Sequence, residues 1–141
     1  MWRDFILEHD PGAELYEPAA REQLIEIEDH FQVILPEDYI SLMLETNGIL
    51  ASGYTKLVYN IDDVVERNNF YRTDETILST YMTLDSLFFF GSPQVDGLQY
   101  GFSVVQKQIQ DHIFIWDPME DTRTRISLSL KSFIERWYKG A

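Results

Sequence analysis

An α+β fold, an antiparallel sheet of about four to six strands with flanking helices, is predicted by three observations on this 141-residue sequence. Apolar residues recur at helical spacing through the first half. They then gather into short runs separated by turn residues from Leu87 to Ser127, and they return to helical spacing at the end.

The elements follow in order. Residues 18–31 read as a first helix begun at Pro18, with Leu24, Ile27 and Phe31 on one face and Arg21, Glu22, Glu26 and Asp29 elsewhere around it. The clearest helix is LPEDYISLMLETNG, Leu35 to Gly48. Pro36 suits a first helical position, where its missing N–H has no partner to lose, and Glu37 and Asp38 place negative charge in the first turn. Tyr39, Leu42, Met43 and Thr46 fall at i, i+3, i+4 and i+7, and Asn47 and Gly48 tolerate the left-handed backbone that ends helices. The short connection from Gln32 to Leu35 sets the two helices against each other or on one sheet face.

After Gly48 the period changes. Thr55 to Tyr59 is β-prone, and Asn60 is placed to cap a third helix from about Ile61 to Tyr71, with Val64 and Val65 inward. In the segment from Thr73 to Asp85, Ile77, Tyr81 and Leu84 form one helical stripe without clear ends. Strands are expected at Leu87 to Phe90, Gln99 to Val105, His112 to Trp116 and Arg123 to Ser127, joined as a meander through turns that carry Gly91, Pro93, Asp96, Gly97 and the Asp117 to Pro118 step. Phe88 to Phe90 and Ile113 to Trp116 are apolar on both alternations, so these strands are covered on both faces, or covered on one and met by a partner on the other. Leu130, Phe133, Ile134 and Trp137 complete a closing helix from about Ser129 to Lys139.

The length fits one domain over 1–141 that buries roughly two thirds of its unfolded surface without cross-links. A hydrophobic content of 45% excludes the disordered class, and no apolar run is long enough to span a bilayer. The start, MWRDFILEHDPG, is interrupted by Asp4, Glu8 and Asp10 and lacks the pattern of a leader, so a cytoplasmic location is expected. With no cysteine, disulfides, thiolate nucleophiles and sulfur-bound zinc are excluded. The formal charge of −13 is uneven: residues 1–45 hold twelve acids and two bases, residues 46–85 six and three, and residues 86–141 six of each. Such a field repels nucleic acid and anionic lipid and attracts a basic protein, although a solvated acidic surface that keeps the chain soluble explains the same charge.

No constellation for catalysis is signposted, and no cofactor is expected. His9, His30 and His112 fall in three different elements, and no GxSxG, Walker or GxGxxG pattern occurs. The acidic pairs Glu37 with Asp38, Asp62 with Asp63 and Glu120 with Asp121 are sequence neighbours, which diverge on a helix and make no dyad. Asp62 and Asp63 suit a helix start, Glu120 and Asp121 a solvated turn. The acidic spacing of a calcium loop is absent. An acid–base enzyme using Asp62 and Asp96 remains an alternative that requires a polar cleft. Tyr54, Tyr59, Phe70, Tyr71, Tyr100, Phe102 and Trp116 are mostly core, with the remainder available to line a cleft between the sheet and the third helix.

The order of these signals resembles the SUKH superfamily, whose founding member is a yeast regulator of cell-wall glucan synthesis and whose bacterial members include many immunity proteins. The resemblance is carried by Ile25 to Phe31 leading into Leu35, Pro36, Tyr39, Leu42 and the Asn47 to Gly48 end. Downstream it rests on the Phe88 to Gly91 strand end, Tyr100 to Phe102, the Trp116, Asp117, Pro118 step and the closing Ser129, Leu130, Phe133 helix. It implies an α+β scaffold without catalysis that acts by binding. In the immunity role, the chain docks onto a cognate toxin, often a nuclease, and a basic nuclease would be steered to an acidic inhibitor. The alternative is a regulatory or scaffolding module like the yeast relative. The expected partner-binding residues are Glu22, Glu26 and Asp29 on the first helix, with Asp62, Asp63, Glu66 and Asp96 as a second rim.

Overall fold

In a computed structural model, which describes residues 1–140, the chain forms six helices and seven strands, the strands arranged in two antiparallel sheets. The order is α1 (Trp2–His9), β1 (Glu14–Leu15), α2 (Arg21–Phe31), α3 (Glu37–Met43), β2 (Ile49–Ala51) and β3 (Thr55–Val58). Then come α4 (Ile61–Thr73), α5 (Glu75–Thr80), β4 (Leu87–Gly91), β5 (Gln99–Val105), β6 (Gln108–Asp117), β7 (Thr122–Ser127) and α6 (Leu130–Lys139). The α+β class is as expected. The second-half strands form the expected meander, ordered β4-β5-β6-β7, and a smaller sheet ordered β1-β2-β3 precedes them.

The helix ends follow local chemistry. Helix α2 begins at Arg21 rather than at Pro18, because Ala20 is extended and its N–H donates to Gln23 Oε1 at 2.8 Å. Pro36 is likewise extended and stands just before α3. Asn60 caps α4 as expected, its side chain accepting from the Asp63 N–H at 2.8 Å, and Ser129 does the same for α6 through the Ser132 N–H. Of the segment from Thr73 to Asp85, Thr73 ends α4, Glu75–Thr80 form the short α5, and Leu84 is buried beyond its end.

The two sheets meet along β3 and β4. The Tyr59 N–H donates to the Phe90 carbonyl at 2.7 Å and the Ser92 N–H to the Lys56 carbonyl at 3.1 Å, just where β4 bulges between Phe89 and Gly91. A β-carbon on Gly91 would collide with the Leu57 carbonyl, so only glycine lets the strands approach this closely. Across β4 the phenylalanines alternate: Phe88 and Phe90 enter the main core, which runs from Trp2 and Ile6 to Phe133 and Ile134. Phe89 instead enters a second cluster with Tyr71, Leu84, Leu87 and Trp116. Both faces of the strand are therefore covered by the chain itself. Among the described residues no helix is long and apolar enough to cross a membrane.

Candidate functional site

Helices α2 and α4 lie side by side, and a recess opens between them. Leu24 and Ile27 turn α2 toward the core, and Ile61, Val64, Asn68 and Tyr71 do the same for α4. Their partner faces must then point outward. The start of α4 is fixed from the preceding turn by Asn47, whose Oδ1 accepts the Ile61 N–H at 2.8 Å. Farther along, His30 Nε2 on α2 meets Asn69 Oδ1 on α4 at 2.8 Å and ties the helices together.

The resulting groove encloses about 540 Å³. Ile27, Ile61 and Val65 form an apolar floor, Glu26, Asp62 and Glu66 stand on the rims, and Gln23 and His30 complete the lining. No lysine or arginine is among these residues. Three carboxylates on facing walls, with no cation between them, create a local negative field over an apolar strip. A surface of that kind can hold a cationic segment that also offers an apolar side chain. Among the described residues, no group of three or more histidines and carboxylates is arranged to hold a metal.

Of the seven residues expected at a partner surface, the structure brings Glu26, Asp62 and Glu66 together. Glu22 is exposed one helical turn before Glu26, on the same row of α2. Asp63 points elsewhere, because its carboxylate pairs with Lys56 Nζ at 3.0 Å. Asp29 lies in a different recess, beside Gln32, Val33, Ile34 and Lys107. Asp96 sits in the turn between β4 and β5, exposed and with φ of +53°, and does not line the groove. Asp62 and Asp96 are both exposed on separate elements, which leaves the acid–base pair without the cleft it requires.

The sequence reading left Gln23, Ile27, His30, Ile61 and Val65 out of the site. A usable signal was present, since Glu22, Glu26 and His30 repeat every four residues, as do Asp62 and Glu66, so each set forms one row along its helix. The aromatic cleft expected between the sheet and the third helix is filled. Tyr71 packs its ring 5.2 Å from that of Trp116 and 5.0 Å from that of Phe89, and Tyr59, Tyr100 and Phe102 are buried as well. Of the seven aromatics singled out, only Tyr54 and Phe70 are exposed.

Asp121 was expected in a solvated turn, and it instead anchors one. It accepts the Trp116 indole N–H at 2.8 Å, the Arg123 guanidinium at 3.0 Å and the Met82 N–H at 3.1 Å. Burial works against its charge, but these donors outweigh it and hold the carboxyl below its usual range. Arg123 also donates to the Met82 and Thr83 carbonyls, so the segment after α5 is fastened to the β6–β7 turn.

In a comparison with known protein families, a family described as SMI1-KNR4 cell-wall, of the SUKH group, matches residues 21–134. No curated protein matches the chain.

Proposed function

The chain belongs to the SUKH family, in its SMI1-KNR4 cell-wall group, and from that premise we propose that it is a non-catalytic module that binds a protein partner through the α2–α4 groove. The partner is a basic protein, read here as a cognate toxin, often a nuclease, which the chain neutralises in the cytoplasm by docking. The observation that carries this reading is the groove, with Glu26, Asp62 and Glu66 rimming Ile27, Ile61 and Val65 and no cation in the lining. A basic side chain of the partner would meet the rims while an apolar neighbour covers the floor, the combination expected of an interface with a desolvated centre and a charged edge. The same field disfavours nucleic acid and anionic membrane as direct ligands.

The matched family's cell-wall description favours a second reading, a regulatory module that links proteins of a wall or signalling pathway. Both readings use a protein surface, and they differ in the partner. The test is to express whatever toxin-like or secreted protein is encoded beside this chain, with and without it, and to measure growth and direct binding. Rescue with a one-to-one complex supports neutralisation, and a toxin that binds nothing here moves the weight to the regulatory role. The Glu26→Lys, Glu66→Lys double variant is expected to weaken association at least tenfold, mainly through the association rate, and to flatten its salt dependence. The control is the Asp96→Lys, Glu120→Lys double variant, which changes the net charge by the same amount at two exposed positions outside the groove. Equal effects of the two changes would mean that overall charge, and not the groove, attracts the partner.

A further inference from the structure

A second recess, of about 260 Å³, lies between α6 and the face of the larger sheet, lined by Tyr100, Ile115, Ile126, Phe133, Arg136 and Trp137. The sheet register explains how it forms. Tyr100 and Ile115 are cross-strand partners on one face, Thr124 pairs with Ile115 from the other side, and the two-residue alternation along β7 puts Ile126 on that same face. Helix α6 covers the face with Phe133, whose ring meets that of Tyr100 at 4.7 Å, but leaves Ile115, Ile126 and Trp137 only half-buried. The walls are therefore apolar and incompletely covered.

Arg136 is the one charged group in the lining, and its guanidinium is not neutralised. Its Nη1 donates to the Ile126 carbonyl at 2.8 Å, which orients the group, while among the described residues no carboxylate forms a salt bridge with it. Glu135, its neighbour in sequence, is engaged with Lys139 at 3.1 Å. The surrounding third of the chain is also formally neutral, with six acids and six bases over residues 86–141, unlike the strongly acidic first third.

We propose that this pocket binds a small monocarboxylic acid that carries one apolar or aromatic group, with the carboxylate on Arg136 and the apolar body against Tyr100, Phe133 and Trp137. A guanidinium held by one nitrogen keeps further N–H donors for a carboxylate, whose two oxygens match its fork. Aromatic walls suit a flat apolar body. The volume lies just below the range that drug-sized ligands occupy, so one side-chain-sized group fills it. A peptide end added along the open edge of β7 is disfavoured, because Arg136 already occupies the Ile126 carbonyl that such a strand would need. The groove between α2 and α4 plays no part in this site.

The test uses the full chain labelled at its indole nitrogens. Trp2 and Trp116 are buried, so Trp137 is the reporter expected to respond. Titration with 3-phenylpropanoate is expected to shift the Trp137 indole signal saturably, with the amide of the same molecule binding at least tenfold more weakly. Arg136→Gln should erase the difference between acid and amide, and Arg136→Lys, which keeps the charge, should restore part of it. Near-ultraviolet circular dichroism checks that both variants are folded. Equal binding of acid and amide, no Trp137 response up to tens of millimolar, or binding of a peptide ending in phenylalanine in place of the free acid would each overturn the proposal.

Discussion

Asn68 does for strand β4 what a neighbouring strand would do. Fully buried on α4, its amide donates to the Phe89 carbonyl at 2.9 Å and accepts the Phe89 N–H at 2.9 Å, while its second donor hydrogen reaches the Val64 carbonyl at 2.8 Å. One side chain thus satisfies both backbone groups of an edge residue with no water in reach. Asn68→Ala strands both, and at roughly 1–3 kcal/mol for each unpaired buried group the expected loss in urea unfolding is about 3 kcal/mol. Asn68→Asp should be no better, because a carboxylate cannot donate to the carbonyl. A loss below about 1 kcal/mol for the alanine variant would mean that the strand finds another partner. Asp121 predicts a pH effect. Its folded pKa is depressed by the Trp116, Arg123 and Met82 donors, so its contribution is complete above the ordinary value of 3.8 and disappears as the pH falls through its lower folded value. Asp121→Asn should therefore be less stable than the wild type at neutral pH, and the gap should close on acidification below that ordinary value. A gap that is constant with pH would show that the carboxylate's charge is not what matters.

At the scale of elements, glycine 91 decides how the two sheets join. Alanine there would place its β-carbon on the Leu57 carbonyl, and backbone cannot move aside as a side chain can. Gly91→Ala is expected to separate β3 from β4, cost more than about 2 kcal/mol, and raise hydrogen exchange at the Tyr59 and Ser92 amides that bridge them. Retained protection at both amides would refute this. The strand β5 was legible in the sequence end to end, and α4 was legible from its Asn60 cap, because period and punctuation coincide there. Helix α1 was not, since only Trp2 and Ile6 of its eight residues are buried and Met1 offers no side-chain cap. Of the small sheet only β3 was visible, as the β-prone run from Thr55 to Tyr59; β1 has two residues and β2 three, too few to display an alternation. The candidate site divides in the same way. Its rim residues were visible as helix-surface carboxylates, but which rows face each other depends on the path from Asn47 to Ile61. That is a tertiary fact no periodicity encodes.

For the whole molecule, the question is whether its two apolar clusters unfold together. The matched family region begins at residue 21, yet Trp2 and Ile6 of α1 are buried in the main core, which reaches from that helix to Phe133 and Ile134 on α6. Trp116 belongs to the second cluster with Tyr71, Leu84, Leu87 and Phe89. The clusters share strand β4, whose Phe88 and Phe90 enter one and whose Phe89 enters the other, so neither can melt without losing the strand that backs its neighbour. We therefore expect a single transition, with Trp2 and Trp116 reporting the same urea midpoint when each is left as the sole buried tryptophan by a Trp→Phe change at the other. Trp116 losing its native signal first would instead make the α4–α5 side a separately opening unit, held mainly by the Asp121 and Arg123 network. Coincidence also bears on the groove. Its α4 wall is built on the helix whose inner face carries Tyr71 to the second cluster, and its α2 wall is packed into the main core. A groove whose two walls rest on one cooperative structure is rigid before its partner arrives, and loses less conformational freedom on binding than one whose walls melt separately.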